Sequence, residues 1–303
     1  MMKSKSRKKS STTRVKKVEN HCPVPSGTLV IIGGKENKGE EEPENKKKPS
    51  NFIKLEVLEA FKAATHKREP RIEVVTTASE DSSGSFADYK KVFEKIGIAD
   101  VGHVHHNSRE EVLADIEVIE RLQKADGFFF SGGDQLKLTG YYGGTDFLAQ
   151  LKHRYISEGL AIGGTSAGAM ALSTPMIYAG SAEVQELAGE IKLTTGLEFL
   201  KDVCIDTHFV HRGRFIRMAQ VVITNPTCIG IGIEEDTAVI ITNGLDVEVA
   251  GTGLVVIIEG FDITGSNINQ FADDKPITAR YLRVHLLASS DKYQIPRLNP
   301  PHK

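Results

Sequence analysis

The sequence predicts an α/β fold, a mostly parallel central sheet with helices on both faces. Three observations point there. Short apolar, β-rich runs recur along the chain and stop at glycine, as in Thr28–Ile32 before Gly33-Gly34. Segments between them repeat apolar residues at helical spacing. The runs are continuously apolar rather than alternating, which marks strands covered on both faces.

Taken in order, Thr28–Ile32 is the first strand, and the polar, proline-punctuated stretch Lys35–Ser50 is a surface loop. Phe52, Leu55, Leu58 and Phe61 recur at helical spacing, followed by a strand at Arg71–Val75, a helix at Phe86–Ile96 and a strand at Val101–His105. Ser108-Arg-Glu-Glu111 has the pattern of a capping box opening a helix through about Leu122. Gly127–Phe130 and Leu160–Ile162 are buried strands flanking a helix at Leu148–Ile156. Val203–Phe209 and Cys228–Ile233 continue the set. Beyond Asp236, strands are expected at Thr237–Ile241, Leu254–Ile258 and Ile277–Leu287, with turns at Asn243-Gly244 and Gly260. With no internal repeat and no linker, residues 27–303 are expected to form one α/β domain behind an arm at 1–26.

Composition narrows the function. Lys+Arg 38 against Asp+Glu 40 leaves a net charge of -2, so the whole molecule is no general polyanion binder. The exception is the arm, where Met1–Lys17 carries eight basic residues and no acid. It reads either as a solvated tail or as an electrostatic tether to a nucleic acid. No apolar stretch follows it as a secretory signal requires, and no run reaches the roughly 18 residues of a membrane span. Cys22, Cys204 and Cys228 are too few and scattered for a disulfide framework, so a reducing, cytoplasmic setting is expected.

Sites in such sheets lie at the carboxyl ends of the strands. There Gly164-Thr-Ser-Ala-Gly168 follows a strand and precedes a helix-compatible stretch, the setting that a G-x-S-x-G nucleophile requires. Ser166 is the candidate nucleophile. The amide of Ala167 is a candidate oxyanion donor, and Gly133 a second. Such a donor contributes on the order of 3 kcal/mol in the transition state. The competing reading, a turn that holds a phosphate, lacks the P-loop lysine and spacing. A serine hydroxyl needs a base. His208 ends another predicted strand and is expected on the same sheet edge as Ser166. Asp206, Glu234, Glu235 and Asp236 are all candidates for the acid, and Asp206 is expected to share a strand face with His208. The order serine, histidine, acid differs from that of ordinary α/β-hydrolases.

Together, Ile31–Gly34, Phe128–Gln135, Gly163–Ala169, Asp206–Phe209 with Arg212-Gly-Arg214, and Gly230–Ala238 resemble the cyanophycinases, serine peptidases grouped with aspartyl dipeptidases. The resemblance implies a fold related to class I glutamine amidotransferases, with serine in place of their cysteine. It implies Ser166 as nucleophile, His208 as base and Glu235 as acid. It implies substrate contacts from Gln135, Asp206, Arg212, Arg214 and Arg217, and from Thr207, which stands where the family often has glutamine. The implied substrate is cyanophycin, a poly-aspartate chain with arginine on each side-chain carboxylate, cleaved to β-aspartyl-arginine dipeptides. No metal or organic cofactor is implied, and the implied assembly is a homodimer.

Such a substrate carries both signs of charge. Arg212, Arg214 and Arg217 suit its carboxylates through paired hydrogen bonds, while Asp206, Asp134 and Glu183 are candidates for its guanidinium. Two other functions fit the same chain: an aspartyl dipeptidase acting on short Asp-X peptides, and a non-catalytic polyanion-binding protein. His103, His105 and His106 lack a matching ligand pattern and are read as surface histidines. Cys204 and Cys228 are read as inert core thiols, and Tyr141–Gly144 as a loop beside the site.

Overall fold

The computed structural model describes residues 23–39, 52–180, 191–268 and 276–296. The basic arm up to residue 22, Cys22, most of the Lys35–Ser50 loop and Glu183 lie outside them. In chain order the elements are β1 (Leu29–Ile32), α1 (Glu56–Ala64), β2 (Arg71–Val75), α2 (Ser82–Lys95), β3 (Asp100–Val104), α3 (Arg109–Ala114), α4 (Ile116–Leu122), β4 (Gly127–Phe130), α5 (Gln135–Tyr142), α6 (Asp146–Ser157), β5 (Ala161–Thr165) and α7 (Ala167–Ala171). They continue with β6 (Ser173–Thr174), β7 (Met176–Ala179), β8 (Lys192–Thr194), β9 (Leu200–Lys201), β10 (Val203–Thr207), α8 (Phe215–Thr224), β11 (Ile229–Ile233), β12 (Thr237–Thr242), β13 (Asp246–Gly251), β14 (Val255–Glu259), β15 (Arg283–Leu287) and β16 (Lys292–Gln294).

The α/β class holds, but the single, mostly parallel sheet does not. The strands divide into a mixed sheet ordered β16-β13-β12-β1-β5-β4-β2-β3, a second mixed sheet ordered β15-β14-β11-β10-β6-β9, and the hairpin β7-β8. Parallel pairing links β1, β5, β4, β2 and β3, whereas β12, β13 and β16 add antiparallel. Of these, the pairing of β12 with β13 follows from a short connection. Asn243 and Gly244 both take positive φ, giving the tight turn that folds β13 back on β12.

Side-chain alternation along β1 distributes the core. Leu29 and Ile31 face the large cluster that includes residues of the second sheet, and Val30 and Ile32 face α1 and α2. On that second side Phe129 packs against Phe61, Phe93 and Tyr89 with ring centroids 5.2, 5.5 and 5.0 Å away. Among the described residues no helix is long and apolar enough to cross a membrane.

Two further expectations are corrected. The helix predicted through Leu122 breaks at Asp115, which ends α3 and caps α4 by accepting from the Val118 amide at 2.9 Å. Ser108 does cap α3, but the Glu111 carboxylate reaches the Asn107 amide. Of the strand expected over Ile277–Leu287, Arg283–Leu287 forms, and Arg280 makes an isolated bridge to Thr264.

Phe129 is fully buried at the centre of its aromatic group. Phe129→Ala is therefore expected to lower stability by about 3–5 kcal/mol, read as a lower denaturant midpoint with an unchanged slope.

Candidate active site

Ser166 sits between β5 and α7 with φ 51° and ψ -117°. Such a backbone costs on the order of 1–3 kcal/mol and persists only when its surroundings enforce it. Here the Ser166 amide donates to the Ile32 carbonyl at 3.2 Å, and the Met170 amide donates to the Ser166 carbonyl at 3.0 Å. The flanking glycines answer to crowding. A methyl on Gly164 would lie 2.8 Å from the Gly168 backbone, and one on Gly168 would strike the Phe130 carbonyl.

His208 comes from the second sheet, not from the sheet that carries Ser166. The two sheets meet at the end of β1, where the His208 amide donates to the Gly33 carbonyl at 2.9 Å. His208 has φ 48°, so the chain turns past β10 and the expected shared face with Asp206 is lost. Its ring lies against Gly34, where any side chain would collide with the imidazole. Nδ1 is 2.7 Å from Glu235 Oε1 and Nε2 is 3.1 Å from Ser166 Oγ. A carboxylate only accepts, so Nδ1–H donates to Glu235 and Nε2 accepts from the serine hydroxyl. Burial lowers the His208 pKa below its ordinary 6.5, with Arg212 and Arg214 acting alongside and Glu235 opposing. Burial alone would raise Glu235, but hydrogen bonds from His208 and Lys35 outweigh it and hold the carboxyl low. Lys35 Nζ is 3.0 Å from Glu235 Oε1.

The remaining acids have other partners. Asp206 is fully buried, with Oδ1 2.9 Å from Arg214 Nη1 and 2.5 Å from Arg217 Nη2, and Oδ2 2.6 Å from Arg217 Nε. It therefore meets arginines of this chain, neither His208 nor an incoming guanidinium. Glu234 accepts the Val210 and His211 amides at 2.6 and 2.9 Å, and Asp236 accepts the Asn37 amide at 2.8 Å. Asp134 caps α5 through the Leu136 amide.

A cleft of about 230 Å³ opens in front of Ser166. Its lining includes Gly133, Gln135, Ala167, Thr207, Arg212, Arg214 and Arg217. Gln135 Nε2 donates to the Ile177 carbonyl at 3.0 Å. Arg214 also donates to the Thr207 carbonyl at 2.8 Å. The Thr207 hydroxyl is buried and, among the described residues, has no hydrogen-bond partner. Met170, Ile177, Tyr178, Ala179 and Gly180 also line the cleft, without a motif that marks them in the sequence. Most belong to the β7 hairpin, which has no periodic signal long enough to register. Lys35 was also missed, its position beside Glu235 being a purely tertiary fact.

Other candidates fall away from the cleft. Tyr141 and Tyr142 end α5 rather than forming a loop, and buried Tyr142 bonds Thr77 and His106. His106 is itself buried, while His103 stacks on Phe86 with ring centroids 4.2 Å apart. Burial pushes the Cys228 thiol up to about 12 and raises Cys204 as well, so neither is a ready thiolate. His211, Glu234 and Glu235 bring ligand atoms within 4.8 Å of one another, but both glutamates already accept from protein donors.

The chain is 30% identical over 277 residues to a cyanophycinase of Synechococcus elongatus, covering 91% of this chain and 82% of that protein. It is 28% identical over 283 residues to a cyanophycinase of Trichormus variabilis, covering 93% and 90%. Among solved structures, a peptidase from an acI-B1 actinobacterium superposes with a TM-score of 0.60 at 20% identity, over 90% of this chain and 98% of that one, a likeness of fold. Residues 46–247 match the model of peptidase family S51. The chain therefore belongs to peptidase family S51 and is a cyanophycinase-like serine peptidase.

Proposed function

We propose that the protein is a serine exopeptidase that hydrolyses the aspartate backbone of cyanophycin to β-aspartyl-arginine dipeptides. The observation that carries this reading is the hydrogen-bonded series Ser166, His208 and Glu235 at a strained turn facing an arginine-lined cleft. Ser166 Oγ attacks a backbone carbonyl carbon while His208 Nε2 takes its proton. Glu235 holds the tautomer and stabilises the imidazolium. The amides of Ala167 and Gly133 receive the oxyanion. His208 then protonates the leaving amine, and water releases the acyl group by the reverse sequence. The reading uses no metal or organic cofactor. It extends to a cytoplasmic homodimer and to a fold related to class I glutamine amidotransferases.

Arg212, Arg214 and Arg217 hold substrate carboxylates, with Asp206 fixing the latter two. Gln135 and the Thr207 hydroxyl, which has no partner among the described residues, complete the polar contacts. A second reading, hydrolysis of short Asp-X peptides, is favoured by one observation. Among the described cleft-lining residues there is no free carboxylate for a guanidinium.

Incubating the protein with insoluble cyanophycin and weighing the soluble product by mass spectrometry tests the substrate. The β-aspartyl-arginine dipeptide is expected, and release only from Asp-X dipeptides would favour the second reading. Ser166→Ala is expected to cut turnover by on the order of 10⁶ while leaving the melting temperature within a few degrees. Unaltered turnover in that variant removes the mechanism.

Neutral His208 is the base, and its lowered pKa keeps it neutral further into the acid range. The acid limb of kcat/KM is thus expected below pH 6.5. Glu235→Gln removes a contribution that raises the His208 pKa. The limb should move further to the acid side as turnover falls on the order of 10³–10⁴-fold. A pH–rate series on both proteins measures each change.

A further inference from the structure

Glu36 is a buried carboxylate with no part in the series Ser166, His208 and Glu235. Its side chain is 3% exposed. One oxygen accepts from the Tyr89 hydroxyl, and the other accepts from Thr165 Oγ1 at 2.6 Å. Lys38 Nζ lies 3.9 Å from Oε1 and 4.0 Å above the Tyr89 ring. Burying a carboxylate is costly even when it is hydrogen-bonded, and an apolar residue of similar volume is often the more stable choice. Packing alone therefore does not account for an acid here.

Its neighbours suggest what does. Thr165 is the residue before Ser166, buried at the end of β5. A β-branched side chain has few rotamers, so fixing the Thr165 hydroxyl restrains the backbone that enters the strained turn. The segment bearing Glu36 also touches the other two groups. Gly33 accepts the His208 amide, Gly34 backs the imidazole, Lys35 donates to Glu235, and the Asn37 amide donates to Asp236. Five consecutive residues thus contact the nucleophile's neighbour, the base, the acid and the residue after the acid.

We infer that Glu36 is a positioning residue: through Thr165 it aims the Ser166 hydroxyl at His208, and the segment it shares keeps that aim aligned with His208 and Glu235. This rests on the Ser-His-Glu reading and goes beyond it, because Glu36 touches no reacting atom.

Two pairs of substitutions in the full chain test it. Thr165→Val removes the hydroxyl and Thr165→Ser keeps it. Glu36→Leu removes both acceptors, while Glu36→Gln offers one acceptor and one donor to two hydroxyls that can rotate to meet them. The readouts are kcat and KM on cyanophycin, the rate of Ser166 labelling by a fluorophosphonate, the pH profile and the melting temperature. Thr165→Val and Glu36→Leu are expected to lower kcat and the labelling rate together by about tenfold, with KM within about twofold. Glu36→Gln should stay near the unmodified protein, and Thr165→Ser, which keeps the hydroxyl but loses the branch, should fall between it and Thr165→Val. The acid limb should not move, since Glu235, Arg212 and Arg214, the charged groups that set the basicity of His208, are unaltered. A folded Thr165→Val or Glu36→Leu that labels at the unmodified rate overturns the inference, as does a Thr165→Ser that fails like Thr165→Val. If the unmodified protein labels at Ser166 but leaves cyanophycin intact, the substrate assignment fails and the labelling rates still decide this point. Absence of labelling in the unmodified protein overturns the nucleophile reading and this inference with it.

Discussion

The bond from the His208 amide to the Gly33 carbonyl is the constraint on which the site depends. It joins the end of β10 in one sheet to the end of β1 in the other. Ser166 is tied to the same strand end through Ile32, and the acidic turn after β11 closes on it through Gly33, which donates to Thr237, and Gly34, which accepts from Asp236. One short strand end thus sets the spacing of three groups drawn from distant parts of the chain. The absence of a side chain at Gly34 makes room for the imidazole to lie there at all.

Charge is arranged around this seam so that opposite groups restrain one another. Asp206 is buried between Arg214 and Arg217, and its carboxylate helps fix two guanidinium groups that line the cleft. Burial makes His208 a weaker base than a free imidazole, and the nearby Arg212 and Arg214 act in the same direction. Glu235 opposes that tendency, and Lys35 holds part of its charge in turn. The balance favours a neutral imidazole held by Glu235, the form that the proposed role of general base requires.

Much of this was legible in the residues. The apolar runs ending in glycine became β1, β4 and β5, and the helical spacing of Leu58 and Phe61 became α1. The turn at Ser166 was recognisable because its crowding admits only small neighbours, a local demand that leaves a local mark. The sheet count was not legible. Strands of the same apolar character fill both sheets, and the pairing partner of a strand is a long-range fact that its own sequence does not carry. The same holds for the break at Asp115, where a side chain that caps one helix also ends another.

The sequence by itself determined the α/β class, the small-residue turn that presents Ser166 and the short set of acids from which a partner for His208 must come. Local physics left those acids open, the resemblance pointed to Glu235, and the tertiary structure shows that Glu235 is the one that meets His208. Asp206, Glu234, Glu235 and Asp236 are alike in chemistry and lie near strand ends, so nothing local separates them. What separates them is who arrives in space: two arginines at Asp206, two backbone amides at Glu234, an imidazole and a lysine at Glu235, and the Asn37 amide at Asp236. Those arrivals depend on how two sheets dock, and docking is a property of the folded whole.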